Sequence, residues 1–380
     1  MVVRGGSVNP AASPDEEFEL YSIPAHDRGG PEIAKGSAIG SSKQIVEPSD
    51  VMISKIIPHI RRARVVGPSS GRRQIASGEW IVFRGESFHP AYLRHFLLSD
   101  RFHAQFMNTV AGVGGSLVRA RPQQVKSIDI PMPSKAEQRR IAAILDHTDA
   151  LRAKRRQVLA HLDSLTQSIF YDMFGDPARN PQAFPMESLG RLALKFGDGP
   201  FGSNLKSEHY RSHGVPVIRL QNIGVEKFLG ADRTFISEAH YGTLKKHDCQ
   251  PGDVLIATMG DPNLRACIQP ATIPLALNKA DCVQMRVDPN RAVSEWACAL
   301  LNMPGTLMLA TSLILGQTRS RISMGRLREL EVPVPPLSIQ KRFAKRVQAL
   351  NRAQVQQEVS IERTDSLFAS LQSRAFRGEL

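Results

Sequence analysis

The sequence predicts an α+β protein built twice over: two globular mixed α/β domains separated by two long helices that pair as an antiparallel coiled coil. Three observations predict it. Residues 130–174 align with 332–376 without a gap, and each copy runs for about 40 residues with no glycine or proline. Ahead of each copy lies a series of short β-like runs divided by turn residues.

The repeat comes first because it sets the domain plan. Ten of its 45 positions are identical, among them Pro131/Pro333, Pro133/Pro335, Gln138/Gln340 and Arg140/Arg342. The match continues upstream: Gly114-x-Ser116-x-x-Arg119 parallels Gly316-x-Thr318-x-x-Arg321, and Asp50–Ile53 parallels Asp253–Ile256. The expected segments are 1–130, a first globular domain; 131–176, a first helix; 185–331, a second domain; and 332–380, a second helix. Counterparts of residues 187–203 would fall before Met1, so the first domain is expected to be truncated at its start.

Each helix is entered through two prolines, which favour extended backbone and cannot donate to a helix. Ser134 with Glu137 forms a candidate capping box. Apolar residues then recur at Ile141, Ile144, Leu145, Leu151, Val158, Leu159, Leu162, Leu165 and Ile169, the three-and-four spacing of a coiled-coil seam. At ~1.5 Å per residue such a helix spans ~60 Å and needs a partner to cover its apolar face. The second copy supplies a thinner seam, Phe343, Val347, Leu350, Ile361, Phe368 and Leu371, with Gln354, Gln357 and Thr364 in its middle. Thr148 and Arg155 interrupt the first seam in the same zone.

The β-like runs are VPVIRLQNI, DVLIATMG, ACIQ and DCVQMRV in the second half, followed by a helical SEWACALLNMPGTLMLATSL. The first half repeats the order with DVMISKI, ARVVG and EWIVFRG, then a helical AYLRHFLLSDRFHAQFMNTVAG.

With 49 Lys and Arg against 36 Asp and Glu, the chain carries +13 and a pI near 9.9, which suits a polyanionic partner. Cys249, Cys267, Cys282 and Cys298 form no C-x-x-C pair, so neither a zinc site nor a disulfide framework is spelled out. They read as buried thiols of a cytoplasmic protein. No apolar run approaches the ~20 residues that cross a bilayer, so no membrane partner is expected.

No catalytic signature is present: no N-P-P-Y or D-P-P-Y, no F-x-G-x-G, no P-loop, no H-E-x-x-H, no G-x-S-x-G. The eleven histidines show no ligand or triad spacing. Catalytic residues, cofactors and metals are all expected to be none. Cation clusters remain. Between Val51 and Gly78 stand Lys55, Arg61, Arg62, Arg64, Arg72 and Arg73 with no acid among them, and Arg319, Arg321, Arg326 and Arg328 crowd GQTRSRISMGRLREL. Lysine and arginine neutralise phosphates, whereas Arg, Asn and Gln also read base edges. Candidate readers are Gln221, Asn222, Asn278 and Gln317 with flanking arginines. The bland alternative is a solvated basic face.

Variable domain, P-x-P entry, long helix, then the same again: this plan, with IPMPSKAEQRRIAAIL, GPFGSNLKSEHY and GVPVIRLQNI, resembles the DNA-specificity subunit of type I restriction-modification systems across nearly the whole chain. The resemblance implies a non-catalytic subunit. Its two target-recognition domains each read half of a bipartite site in double-stranded DNA, and its paired helices set the gap. It also implies methyltransferase subunits, which bind S-adenosylmethionine, and restriction endonuclease subunits as partners. The DNA-binding candidates are then Lys55, Arg61, Arg62, Arg64, Arg119, Lys206, Arg219, Gln221, Asn222, Asn278, Gln317, Arg319 and Arg321. The partner-binding candidates are Gln138, Arg139, Arg140, Gln340 and Arg342. Ile339 stands where the first copy has Glu137, so docking is expected to be asymmetric. The alternatives are a specificity subunit whose partner fuses methylase and nuclease, and a coiled-coil scaffold that binds proteins.

Overall fold

The computed structural model describes residues 2–3, 5–111, 118–316 and 320–380. Two units are present: Met1–Gln157 with Val359–Leu380, and Val158–Glu358. The division falls inside both long helices, Lys135–Phe174 and Leu337–Arg377, so each unit holds one globular part and a portion of each helix. The prolines stay outside the helices, as their missing N–H requires. Only half of the capping box forms: Ser134 Oγ accepts the Glu137 N–H at 3.2 Å, while the Glu137 carboxylate turns to Arg140.

In the first unit a four-stranded antiparallel sheet runs, in spatial order, Val2–Val3, Trp80–Phe83, Val51–Ser54 and Ala63–Val65. A five-stranded sheet runs Ser7–Val8, Lys43–Ile45, Arg73–Ala76, Glu17–Tyr21 and Glu32–Lys35, with Glu17–Tyr21 and Arg73–Ala76 parallel. The second unit has the same pair of sheets. Its four-stranded sheet is Ala193–Asp198, Cys282–Val287, Val254–Ala257 and Arg265–Ile268. Its five-stranded sheet is Tyr210–Arg211, Phe235–Ile236, Val215–Ile218, Ala276–Asn278 and Asp248–Cys249, with Val215–Ile218 and Ala276–Asn278 parallel. Four strands keep one order in both five-stranded sheets, and the fifth attaches to opposite edges.

Val51–Ser54 and Val254–Ala257 are buried along their whole length, which is why both read as unbroken rather than alternating apolar runs. Each follows a buried aspartate that ties the sheet together. Asp50 takes both prongs of Arg84 at 2.7 Å and the Glu47 N–H at 2.8 Å. Asp253 takes Arg286 at 2.9 Å twice and the Gln250 N–H at 2.8 Å. The helical stretches expected after the sheets are each broken in two. Ser99 caps Asp100–Met107 after Pro90–Leu97 ends, accepting from the Phe102 N–H, and Pro304 opens Pro304–Ala310 after Ser294–Asn302.

The long helices pair antiparallel inside each unit. In the first, Ile141, Ala142 and Leu145 share a core with Ala375 and Phe376, while Arg152 and Arg156 reach Asp365 at 2.6 and 2.9 Å. As one residue number rises, the other falls. In the second, Gln354 donates to Asp163 at 2.9 Å, and Phe343 packs edge-on against Phe170 with centroids 5.7 Å apart. The second seam follows the expected residues. The first departs from them: its inward stripe runs Ile141, Leu145, Thr148, Arg152, Arg155, Leu159, Leu162, Thr166 and Phe170, and leaves Leu151, Val158 and Leu165 exposed at 38%, 43% and 40%. Arg152 earns its inward place through Asp365 and through its guanidinium, 4.3 Å over the Phe368 ring.

His95, on Pro90–Leu97, is buried in the first unit with Nε2 2.7 Å from the Asp146 carboxylate. Burial, then neighbouring Arg94, lowers its pKa below the ordinary 6.5, and these outweigh Asp146 and Asp149, which raise it. The unfolded chain therefore takes up a proton that the folded unit resists. Stability is full above pH 6.5 and falls as pH drops through and below that value. His95→Gln should flatten this acid loss, as read by denaturant midpoints between pH 7 and 5; an unchanged slope would refute the assignment.

Candidate nucleic-acid interface

Folding supplies the acids that the basic cluster lacks in sequence. Arg62 makes a two-pronged pair with Asp27 at 2.7 and 2.8 Å, Arg61 meets Asp100 at 2.6 Å, and Arg72 and Arg73 meet Glu17 and Glu16 at 2.9 and 2.5 Å. Arg64 is spent on His26 Nδ1 and the Gly29 carbonyl at 3.0 and 2.8 Å. The expected stretch of unmatched cation is thus largely self-neutralised, by residues 20 or more positions away that a local count cannot see. Lys55 and Arg64 are the exceptions: among the described residues neither has an ion pair, though Arg64 is hydrogen-bonded.

In the second unit, Asn222 and Asn278 are not readers in this conformation. Both are buried. Asn222 pins a turn by donating to the Leu229 and Asp232 carbonyls at 3.0 and 2.8 Å and accepting the Arg219 N–H; Asn278 donates to the Cys282 carbonyl at 2.8 Å. Both side-chain amides serve the backbone, Asn222 through its oxygen and nitrogen and Asn278 through its nitrogen alone, its Oδ1 being buried without a partner among the described residues. Gln221 and Arg219 reach the surface together, both bound to the Asp232 carboxylate, Gln221 at 2.8 Å. Lys206 lies 3.7 Å from Glu208. Arg321 sits 2.9 Å from Asp281 with its guanidinium 5.4 Å over Phe201. Gln317 and Arg319 lie outside the described residues, as do Gly114 and Ser116.

Each unit closes with a two-stranded hairpin, Val110–Ala111 with Arg119–Ala120 and Ile314–Leu315 with Arg321–Ile322. Arg119 pairs with Glu79 at 3.2 Å. Beside the first hairpin lies Arg121, which sequence reasoning missed; aligning the copies two residues further would have set it against Ser323.

Gln138 and Gln340, expected to face a partner, are buried staples. Gln138 Oε1 accepts the N–H of His89, the residue before Pro90–Leu97, at 2.6 Å, and its amide donates to the Pro133 carbonyl at 2.9 Å. Gln340 repeats this with Val293, before Ser294–Asn302, at 3.0 Å and with Pro335 at 2.8 Å. The repeated phrase keeps its glutamine because each long helix is locked onto its globular part there. Arg139 and Arg342 are exposed and have no ion pair among the described residues; Arg140 holds Glu137 and the Leu380 carbonyl at 2.8 and 2.5 Å.

The second unit also contains a cleft of ≈ 1330 Å³ whose charged lining is mostly carboxylate, Asp163, Glu226, Asp232, Glu238 and Glu358 against Lys227 and Arg233. Such a field repels phosphate. Burial raises the pKa of Glu226 and of all four buried cysteines, Cys267 to about 12, so the thiols are inert. Among the described residues no three His, Cys, Asp or Glu side chains converge as metal ligands, and no single helix is long and apolar enough to cross a membrane.

A doubled mixed-sheet unit, each copy stapled to a long helix that pairs antiparallel, defines a class of protein with two similar globular domains on paired helices. In sequence and fold the chain resembles the DNA-specificity subunits of type I restriction-modification systems. The family model described as type I restriction modification DNA specificity domain matches residues 300–363. The type I restriction enzyme StySPI specificity subunit of Salmonella potsdam is 23% identical over 373 residues, an alignment covering 89% of this chain and 76% of that one. Among solved structures, a chain from work on complex assembly and conformational transition of the type I R-M system has a TM-score of 0.65 at 19% identity, covering 100% and 96% of the two chains. The type I restriction-modification S subunit from M. genitalium has a TM-score of 0.55 at 13% identity, covering 98% and 96%.

Proposed function

We propose that this chain is the non-catalytic, cytoplasmic specificity subunit that brings adenine methyltransferase and restriction endonuclease partners to a bipartite site in double-stranded DNA. The observation that carries the reading is the matched construction of the two units. Each has the same two sheets, the same buried Asp–Arg tie, the same glutamine staple and the same closing hairpin, which is what two readers of two half-sites require. The antiparallel helices are proposed to set the gap between half-sites, with exposed Arg139 and Arg342 offered to the methyltransferase subunits. S-adenosylmethionine belongs to those partners.

The test is reconstitution with a type I methyltransferase subunit and S-adenosylmethionine. Adenine methylation at a split sequence should require this chain, and replacing residues 185–331 by those of a relative should change one half of the site and leave the other. Methylation that ignores the exchange would refute the reading. A protein scaffold predicts no DNA affinity that falls steeply with salt.

A further inference from the structure

We infer that the first unit seats a DNA backbone phosphate in a cationic hollow at the base of its hairpin, and that the equivalent place in the second unit is built without those cations. The inference rests on the DNA-binding reading above and adds that the two units place their cations differently at this point, the second unit carrying exposed Arg326 where the first has Gln124. The hollow measures ≈ 600 Å³ and is lined by Lys55, Arg119, Arg121, Gln123 and Gln124, with no acid in its wall. Glu79 answers Arg119, so Lys55 and Arg121 remain uncompensated among the described residues.

The duplication provides an internal control. The Lys55 carbonyl accepts the Ala120 N–H at 2.9 Å, and the Thr258 carbonyl accepts the Ile322 N–H at 3.0 Å. Ile56 bridges to Arg119 as Met259 bridges to Arg321. The backbones therefore match, and the side chains can be compared position by position. Opposite Lys55 stands Thr258, buried and bound through Oγ1 to the Asp281 carbonyl at 3.1 Å. Opposite Arg121 stands Ser323, whose Oγ caps Met324–Arg328 by accepting from the Arg326 N–H. Arg121 precedes the matching helix Pro122–Val125 and makes no cap. Serine is the favoured residue at such a position, so arginine there forgoes a local bond and places a cation in the hollow instead. The gap between Lys55 and Arg121 is rimmed by two exposed amides, donors that suit phosphate oxygens.

A phosphate seat needs no particular base sequence, so a short labelled duplex of arbitrary sequence is a sufficient probe. Binding of the full chain is followed by fluorescence anisotropy against salt. For Lys55→Gln/Arg121→Gln the slope of log affinity on log salt should shrink by about 1 to 2 relative to wild type. The charge-matched Lys154→Gln/Lys345→Gln, exposed on the long helices, should stay near the wild-type slope. Independently, acylation of Lys55 read by mass spectrometry should be slowed by the duplex and not by inorganic phosphate at equal ionic strength. Equal slopes for the two double variants, or equal protection by free phosphate, would overturn the seat while leaving DNA binding standing. A wild-type chain with no salt-dependent affinity would overturn both.

Discussion

Phe343→Ala should destabilise the second unit by about 3–5 kcal/mol, while Leu151→Ala should stay within about 0.5 kcal/mol of wild type. Phe343 is fully buried on the second long helix and meets Phe170 and Phe174 of the first at centroid distances of 5.7 and 5.4 Å. Removing the ring leaves a cavity whose walls are themselves aromatic, and the two remaining rings cannot collapse into it without leaving their rotamers. Leu151 is 38% exposed and faces away from the partner helix. The measurement is denaturant unfolding of the full chain with hydrogen exchange, since the Phe343 effect should appear in the amides of the second unit. A small effect for Phe343, or a large one for Leu151, would mean that the seam does not lie where the structure places it.

The contrast between those residues shows what the sequence could and could not reveal. The duplication, both helices and the second seam were legible because they are written in local pattern: proline entry, freedom from glycine, apolar residues at three and four. The first seam was right at Ile141, Ile144, Leu145, Leu159, Leu162 and Ile169 and wrong at three positions. Leu151, Val158 and Leu165 keep heptad spacing and are apolar, so hydrophobic reading favours them, yet the inward column carries Thr148, Arg152, Arg155 and Thr166. Arg152 lies inside the helix pair with a partner carboxylate at hand, and that partner, Asp365, is 213 positions away in the chain. The Arg152 hydrogen bond, with its charge, holds the Asp365 carboxyl below the usual range, the mark of a pair that forms only in the folded state.

The same limit governs the candidate interface. Counting residues 51–78 gave cations and no acids; folding set Asp27, Glu16, Glu17 and Asp100 against them. Polar residues chosen as readers were chosen by type, and type does not separate Asn222, which clamps a turn, from Gln221 beside it, which faces out. Gln138 and Gln340 are one of the ten identical pairs of the repeat, and that identity reports a structural staple.

Asp253→Ala should cost the second unit about 3 kcal/mol, and Asp253→Ala/Arg286→Met should recover part of the loss. Asp253 is 2% exposed and receives four bonds: two from Arg286, one from the Gln284 amide at 2.8 Å and one from the Gln250 N–H at 2.8 Å. Deleting the carboxylate strands three donors at once, and stranded donors cost more than the intact pair contributes. Arg286 keeps about a quarter of its side chain in water, which moderates the penalty and places the expected value at the lower end of the range for a broken buried pair. Taking Arg286 away as well removes a charge left with only the Asp248 carboxylate, at 3.9 Å, so the double variant should be the more stable of the two. Asp50→Ala is the matched experiment in the first unit, where Arg84 and the Glu47 N–H are the donors. Hydrogen exchange should report each lesion in its own strands, Val254–Ala257 and Cys282–Val287 for the one, Val51–Ser54 and Trp80–Phe83 for the other. A double variant less stable than Asp253→Ala would show that Arg286 is held by something other than this aspartate. The duplicated tie would then be a coincidence of sequence rather than the fastening that both units share.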